Sequence, residues 1–432
     1  MVELPLAGIR VLDITVVWSG PSATRFMAAL GAEVIRVESI RYYPNANRGQ
    51  VPYPDPAAIK AGTGMGSAYP GKDPGPDPYN RFGPFMLTGQ GKLSVTMELD
   101  SPEGREAFHR LVAQSDVVVE NNSRALSRQL GLEWEELSAV NPGIILAKMT
   151  PLGMDGPYAA AVGFGAHFEA LVGMGALRQH PGAAPDDAGP TYHMDDVAPH
   201  GVVFSVLAAL AHRERTGRGQ LIEFPQATYL MQGLGDVFLA VAADPETPIP
   251  ADGNRHPAWV QGIYPCAGQD EWVALSLRDD RDWSAFVETM GDPAWARDPR
   301  FATSLSRRDN QDALDPLIGA LTAQHAKQDL FAKLQSNGVP AGPVYNEADA
   351  YADPHFAERG IFRPVQHPAG TYDYPSFGAR YSGMELRWGR PAPLVGQDNE
   401  YVYRELLGYS GEQYQDLLDR NLAGTVYPRP PR

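Results

Sequence analysis

Gly8-Ile9-Arg10-Val11-Leu12-Asp13-Ile14, then Gly20-Pro21 through Leu30-Gly31, then Glu33-Val34-Ile35-Arg36-Val37-Glu38: this stretch decides the fold. The first and last runs are apolar and rich in β-branched residues, as strands are. Between them Phe26, Met27 and Leu30 carry the apolar positions of a helix that Gly20-Pro21 starts and Gly31 stops. Strand, helix, strand predicts a parallel sheet with a right-handed crossover. The first loop, Val16-Val17-Trp18-Ser19-Gly20, then lies at the carboxyl end of its strand, where open α/β sheets bind ligands.

The alternation continues. A helix is expected over 101–115, a strand over 116–119, a helix near 132–139 and a strand over 144–147. A nearly all-apolar helix from Pro199 to Arg215, closed by Thr216-Gly217-Arg218-Gly219, leads into a strand over 220–224. The fold class is therefore α/β, with a large Rossmann-like parallel-sheet domain. After a Pro-rich linker at 244–253 the pattern changes to a hairpin, 260–265 with 272–277, and amphipathic helices at 281–290, 311–323 and 327–336. The expected division is 1–225 as the large domain, 226–253 as linker, 254–345 as a smaller α+β domain, and 346–432 as a return to the large one. A helix at 399–407 makes that return. The stretch 42–83, crowded with Pro, Gly and Tyr, is expected to be a covering loop that lines a substrate pocket.

A chain of 432 residues can bury a large core, and its 43% apolar content is that of a globular protein. Its net charge of −16 speaks against broad contact with nucleic acid or an anionic membrane. One cysteine, Cys266, excludes an internal disulfide and suits a reducing compartment. No basic stretch followed by an apolar run stands near Met1, and the longest apolar run is about ten residues where a span needs about 20. A cytoplasmic location is the expectation.

No Gly-x-Gly-x-x-Gly follows the first strand, so a nicotinamide cofactor is not expected. Neither a Walker loop, a His-Glu-x-x-His nor a Gly-x-Ser-x-Gly is present, and no metal site is expected. Tyr192-His193-Met194-Asp195-Asp196 places two carboxylates just ahead of the helix that Pro199 is expected to open. An anionic nucleophile is stabilised at such a helix start, and so is a plain Asp cap. The residues alone leave both open.

Several stretches in order resemble the family III CoA-transferases, over nearly the whole length. They are Pro5 to Asp13, Leu30 to Glu38, Leu99 to Gly104, Asp116 to Asn121, Leu207 to Gln220, Gly253 to Pro257, Gly338 to Val344 and Ala392 to Gly396. The resemblance implies an interlaced homodimer of ring-shaped chains and transfer of CoA from an acyl-CoA to a carboxylic acid. It places the nucleophilic aspartate on Asp195, and not on Asp196, as the residue that carries CoA as an aspartyl thioester. It places CoA contacts on Val17, Trp18 and Ser19, on Asn121 and Asn122, and on Arg128, with Arg36 and Arg41 as further candidates for the phosphate end. His193 is expected to share a strand face with Asp195.

Departures are informative. A racemase branch of the family carries a His-Asp pair where this chain has Gly163-Phe164-Gly165, which favours a transferase. The rivals are a racemase or isomerase using His193 or His200, and a non-catalytic CoA-binding member.

Overall fold

The computed structural model describes residues 3–43, 47–63, 68–178, 184, 192–246, 253 and 255–429. The chain divides into two compact units, one of 1–172, 191–234 and 360–432, the other of 173–190 and 235–359. The first unit is built on six parallel strands: β1 (Arg10–Ile14), β2 (Glu33–Glu38), β3 (Leu93–Thr96), β4 (Val117–Glu120), β5 (Ile145–Lys148) and β6 (Gln220–Glu223). Their order is β3-β2-β1-β4-β5-β6. The order reverses between β1 and β4, so the carboxyl ends of these two strands flank a crevice for a ligand.

Alternation along the strands sends side chains to two cores. Leu12, Ile14, Ile35 and Val118 meet Phe108, Leu111 and the C-terminal residues Val402, Tyr403 and Leu417 on one face. Val11, Val34, Val117 and Val119 meet Met27, Ala198, Val202 and Val206 on the other. Helix Ser19–Ala29 lies close to β1 because Gly20 has no side chain: a Cβ there would sit 2.5 Å from the Thr15 Cβ. The edge strand β3, absent from the sequence reading, donates its Ser94 and Thr96 amides to the side chains of Asp398 and Asn399 at 2.8 Å each. The C-terminal segment thus blunts an exposed sheet edge. Its helix is a π-helix over Tyr401–Leu406, and a further helix, Gly411–Asp419, follows.

Among its described residues the stretch 42–83 is largely packed down on the C-terminal segment rather than forming an open loop, while Tyr42 and Asn47 reach the wall of a cavity. Tyr43 and Tyr79 pack against Tyr427, Tyr53 donates a hydrogen bond to the Tyr427 carbonyl at 2.8 Å, and Tyr69 packs on Phe82. Residues 44–46 and 64–67 lie outside the described residues.

In the second unit β7 (Val260–Pro265), β8 (Trp272–Leu277) and β9 (Ala341–Val344) form an antiparallel sheet. Helices Asp280–Thr289, Gln311–Thr322 and Lys327–Ser336 cover it with Phe286, Leu314, Ile318 and Leu330. Lys327 reaches Asp349 at 2.6 Å, which ties the residues after β9 to this unit and moves its end from 345 to 359. Its main segment starts at 235 rather than 254, and the unit also takes in 173–190, expected in the large domain. A last hairpin, β10 (Phe362–His367) with β11 (Gly370–Pro375), belongs to the first unit.

Candidate active site

The loop after β1 and the residues after β4 meet at the reversal point. The Val16 amide donates to the Asn121 side-chain oxygen at 2.7 Å, and Asn121 Nδ2 donates back to the Val16 carbonyl at 2.9 Å. Asn122 Nδ2 donates to the Ile14 carbonyl at 2.9 Å. Both carboxamides are therefore engaged in shaping the first loop. Val17 holds φ at 65°, a costly conformation for a β-branched residue that the surrounding contacts enforce. Trp18 meets Tyr192 edge to face at 4.9 Å, and the Ser19 hydroxyl donates to Gln226. Arg128 stands apart: it is exposed and lines neither cavity described below, whereas Arg124 and Gln129 of the same helix, Arg124–Gln129, each line one.

Below that loop lies a cavity of about 430 Å³, walled by Met149, Ala160, Val162, Phe168, Met194 and Asp195 among others. Asp195 enters it from the first turn of a helix that runs His193–Thr216, six residues earlier than the start expected at Pro199. Tyr192 is the N-cap and no side chain caps this end, so neither aspartate serves as the cap. Pro199 sits inside the helix, where its missing N–H leaves the Asp195 carbonyl without a ladder partner. The helical start also corrects the placing of His193. Residues two apart on a helix point about 200° apart, so His193 faces away from Asp195. It is exposed, and neither it nor His200 lines the cavity. His200 instead packs on Phe26.

Asp195 is 9% exposed. Burial first, then the negative charges of Asp196 and Glu169, raise its carboxyl from 3.8 to about 6. Glu169, buried in helix Gly165–Leu171, accepts the Met194 amide at 2.8 Å and so holds the turn that carries Asp195. Gly165 opens that helix directly against the carboxylate: a Cβ there would stand 2.6 Å from Asp195 Oδ2.

A second cavity, of about 830 Å³, shares the wall of Val16, Asn121, Asn122 and Ser123. It is lined beyond them by Ser39, Arg41, Tyr42, Glu98 and Asp100. Arg41 is held there by donation to the Asn421 and Arg420 carbonyls at 3.0 and 2.8 Å. Arg36 also borders this cavity but is spent inside the fold, on Asp13, Glu38 and the Thr15 carbonyl. Among the described residues no group of three His, Cys, Asp or Glu side chains could hold a metal ion.

The profile of CoA-transferase family III matches residues 6–399. The chain belongs to CoA-transferase family III. It is thereby an enzyme of CoA transfer, a class that acts on CoA thioesters. Within the family it is 32% identical to a probable CoA-transferase of Mycobacterium tuberculosis over 97% of this chain, which spans only 50% of that longer protein. It is 30% identical to the succinyl-CoA–D-citramalate CoA-transferase of Chloroflexus aurantiacus, with 94% of each chain covered. A solved CaiB/BaiF family protein from Brucella suis matches 94% of this chain and all of its own, with a TM-score of 0.80 at 28% identity. Several residues of this family III site escaped the sequence reading. Glu169 and Gln226 carry no spacing signal, because each matters only through a contact made in three dimensions, and Gly165 stood out only as a departure from the racemase pattern, not as a residue against Asp195.

Proposed function

We propose that the protein moves CoA from an acyl-CoA donor to a carboxylic acid through an aspartyl-CoA thioester on Asp195. The observation that carries this reading is the Asp195 carboxylate at the wall of a largely apolar cavity, where burial and the charges of Asp196 and Glu169 together oppose its ionisation. Such a group gains from losing its charge, and acylation removes that charge. An Asp195 oxygen attacks the thioester carbonyl and expels CoA as thiolate, leaving a mixed anhydride. The thiolate then attacks the Asp195 carbonyl, forms the aspartyl thioester and releases the donor acid as carboxylate. The acceptor carboxylate attacks that thioester, expels the thiolate again, and the thiolate attacks the acceptor's acyl carbon to restore Asp195. No proton is consumed, which agrees with a site that needs no histidine.

The shared wall supports a CoA that places its thioester at Asp195, beside the Val17-Trp18-Ser19 loop whose Val17 and Ser19 line that cavity, and its nucleotide end in the larger cavity near Arg41. Asn121 and Asn122 contribute by fixing the loop, and Arg128 has no part in this placing. The relatives named for succinyl-CoA with D-citramalate and for succinate with glutarate agree with transfer between carboxylic acids. We also infer a cytoplasmic homodimer of threaded rings. Helix His193–Thr216 leaves Phe204 72% exposed, and helix Gly235–Ala243 buries none of its apolar residues, surfaces that a second copy would cover. Light scattering is expected to give about twice the 46.9 kDa chain mass. Incubation with an acyl-CoA and no acceptor is expected to raise the intact mass by one CoA less one water, mapped to Asp195 and removed by hydroxylamine. An adduct elsewhere, or none with any donor tested, would overturn the reading.

A further inference from the structure

The Asp195 cavity contains two cations among its described lining residues, and only one is free. Lys148, buried at the end of β5, donates to Ser127 at 2.9 Å and to Glu133 at 3.1 Å, and stands 3.7 Å from Glu120. Two carboxylates already neutralise it, so an entering anion would have to displace one of them. Arg124 makes no hydrogen bond or ion pair with any described residue, and it is exposed to whatever enters. Much of the remaining wall is apolar: Met149, Ala160, Val162, Phe164, Phe168 and Met194. An acyl chain suits such a wall, and the lone cation gives it one polar end to select.

We infer that Arg124 binds the distal carboxylate of the acyl group, so that the substrates are dicarboxylic acids and their CoA half-thioesters. The competing partner for this arginine is a phosphate of CoA. The placement favours the acyl group, because Ser123 and Ala125 line both cavities while Arg124 lines only the one that holds Asp195. The charge balance points the same way. In the mixed anhydride Asp195 is neutral, Lys148 remains matched by its glutamates, and the distal carboxylate is left to pair with the guanidinium, a fork suited to a carboxylate. This inference rests on Asp195 as the reacting carboxylate and names the substrate class of that site.

The test compares succinyl-CoA with butyryl-CoA, thioesters of equal chain length that differ by a terminal carboxylate. Titration into the Asp195→Asn protein reads binding without reaction. Succinyl-CoA is expected to bind more tightly, and adding Arg124→Gln is expected to weaken it by about 30-fold while butyryl-CoA and free CoA change by less than about 3-fold. Arg124→Lys should restore part of the loss. An equal loss for both thioesters and CoA would assign Arg124 to a phosphate and overturn the inference. So would no loss, or no preference for succinyl-CoA at the outset. The adduct assay on the unsubstituted protein separates the two layers: no aspartyl adduct with an intact succinyl preference would sink the mechanism and leave the Arg124 assignment standing.

Discussion

Asp13 and Asp195 are both buried carboxylates of the first unit, and their surroundings drive them in opposite directions. Asp13, at 0% exposure, accepts from Lys92 Nζ at 2.8 Å, from Thr24 at 2.8 Å and from Thr15, with Arg36 at 3.3 Å. Burial alone would raise its carboxyl, yet Lys92 and Arg36 outweigh burial and hold it well below the ordinary range. At Asp195 burial acts unopposed and two acidic neighbours add to it. Burial is thus common to both, and the sign of the neighbouring charge separates a group that stabilises the fold from one poised to react. Asp13 does serve the site indirectly. Its network includes Thr15 and, through Arg36, the Thr15 carbonyl, so it anchors the loop that begins at Val16.

The comparison breaks hardest at Asp195 itself. Asp195→Asn keeps the shape and removes the nucleophile, and CoA transfer is expected to fall by about 10⁴-fold or more in a steady-state assay. The same substitution should stabilise the fold at pH 8. A carboxyl raised from 3.8 to about 6 contributes stability below about pH 4 that is lost as pH rises through 6, up to roughly 3 kcal/mol, and Asn has no such loss. Asp13→Asn is expected to do the reverse. It leaves Lys92 and Arg36 buried without their counter-charge and should cost about 3–5 kcal/mol in denaturant unfolding. A neutral effect there would show that the network is not what holds β1 to β2 and β3. Third comes Gly165→Ala. The added methyl falls 2.6 Å from Asp195 Oδ2 and must push the carboxylate aside. Transfer should fall about 10- to 100-fold with unfolding little changed, since misplacing a reacting group by a fraction of an ångström is costly.

How much of this was legible beforehand follows from what kind of contact each feature needs. The strands β1, β2, β4 and β5 announce themselves as β-branched runs, and the hairpin β7–β8 falls on the residues read from its alternation. The edge strand Leu93–Thr96 did not, because Ser94 and Thr96 are polar groups satisfied by Asp398 and Asn399, partners some 300 residues away. Of the tyrosines of 42–83, Tyr42 borders a cavity, but Tyr43, Tyr53 and Tyr79 meet Tyr427 at the far end of the chain, a partner no local pattern reveals. At the site, Asp195 was placed by resemblance to a family, and its strand neighbour His193 was misplaced because Pro199 reads as a helix start while the helix begins before it. Arg124 was passed over for Arg128, one turn along the same short helix, because sequence does not say which of the two faces the cavity.

The finest test of the contrast is Asp196→Asn. Asp196 is exposed and adds only a like charge to the setting of Asp195, behind burial in importance. Transfer needs Asp195 ionised, so kcat/KM is expected to drop about tenfold per unit as pH falls below about 6 and to level off above it. Removing the neighbouring charge lowers the cost of ionising Asp195, so the acid limb of the profile should move down by a few tenths of a pH unit while the plateau at pH 8 changes by less than about twofold. The sign is what discriminates. A limb that stays in place would mean that burial sets the acidity alone, and a limb that moves upward would require Asp196 to hold something that stabilises the anion. A plateau lost by orders of magnitude would exchange the roles of the two aspartates, and the contrast with Asp13 would then have to be redrawn around Asp196.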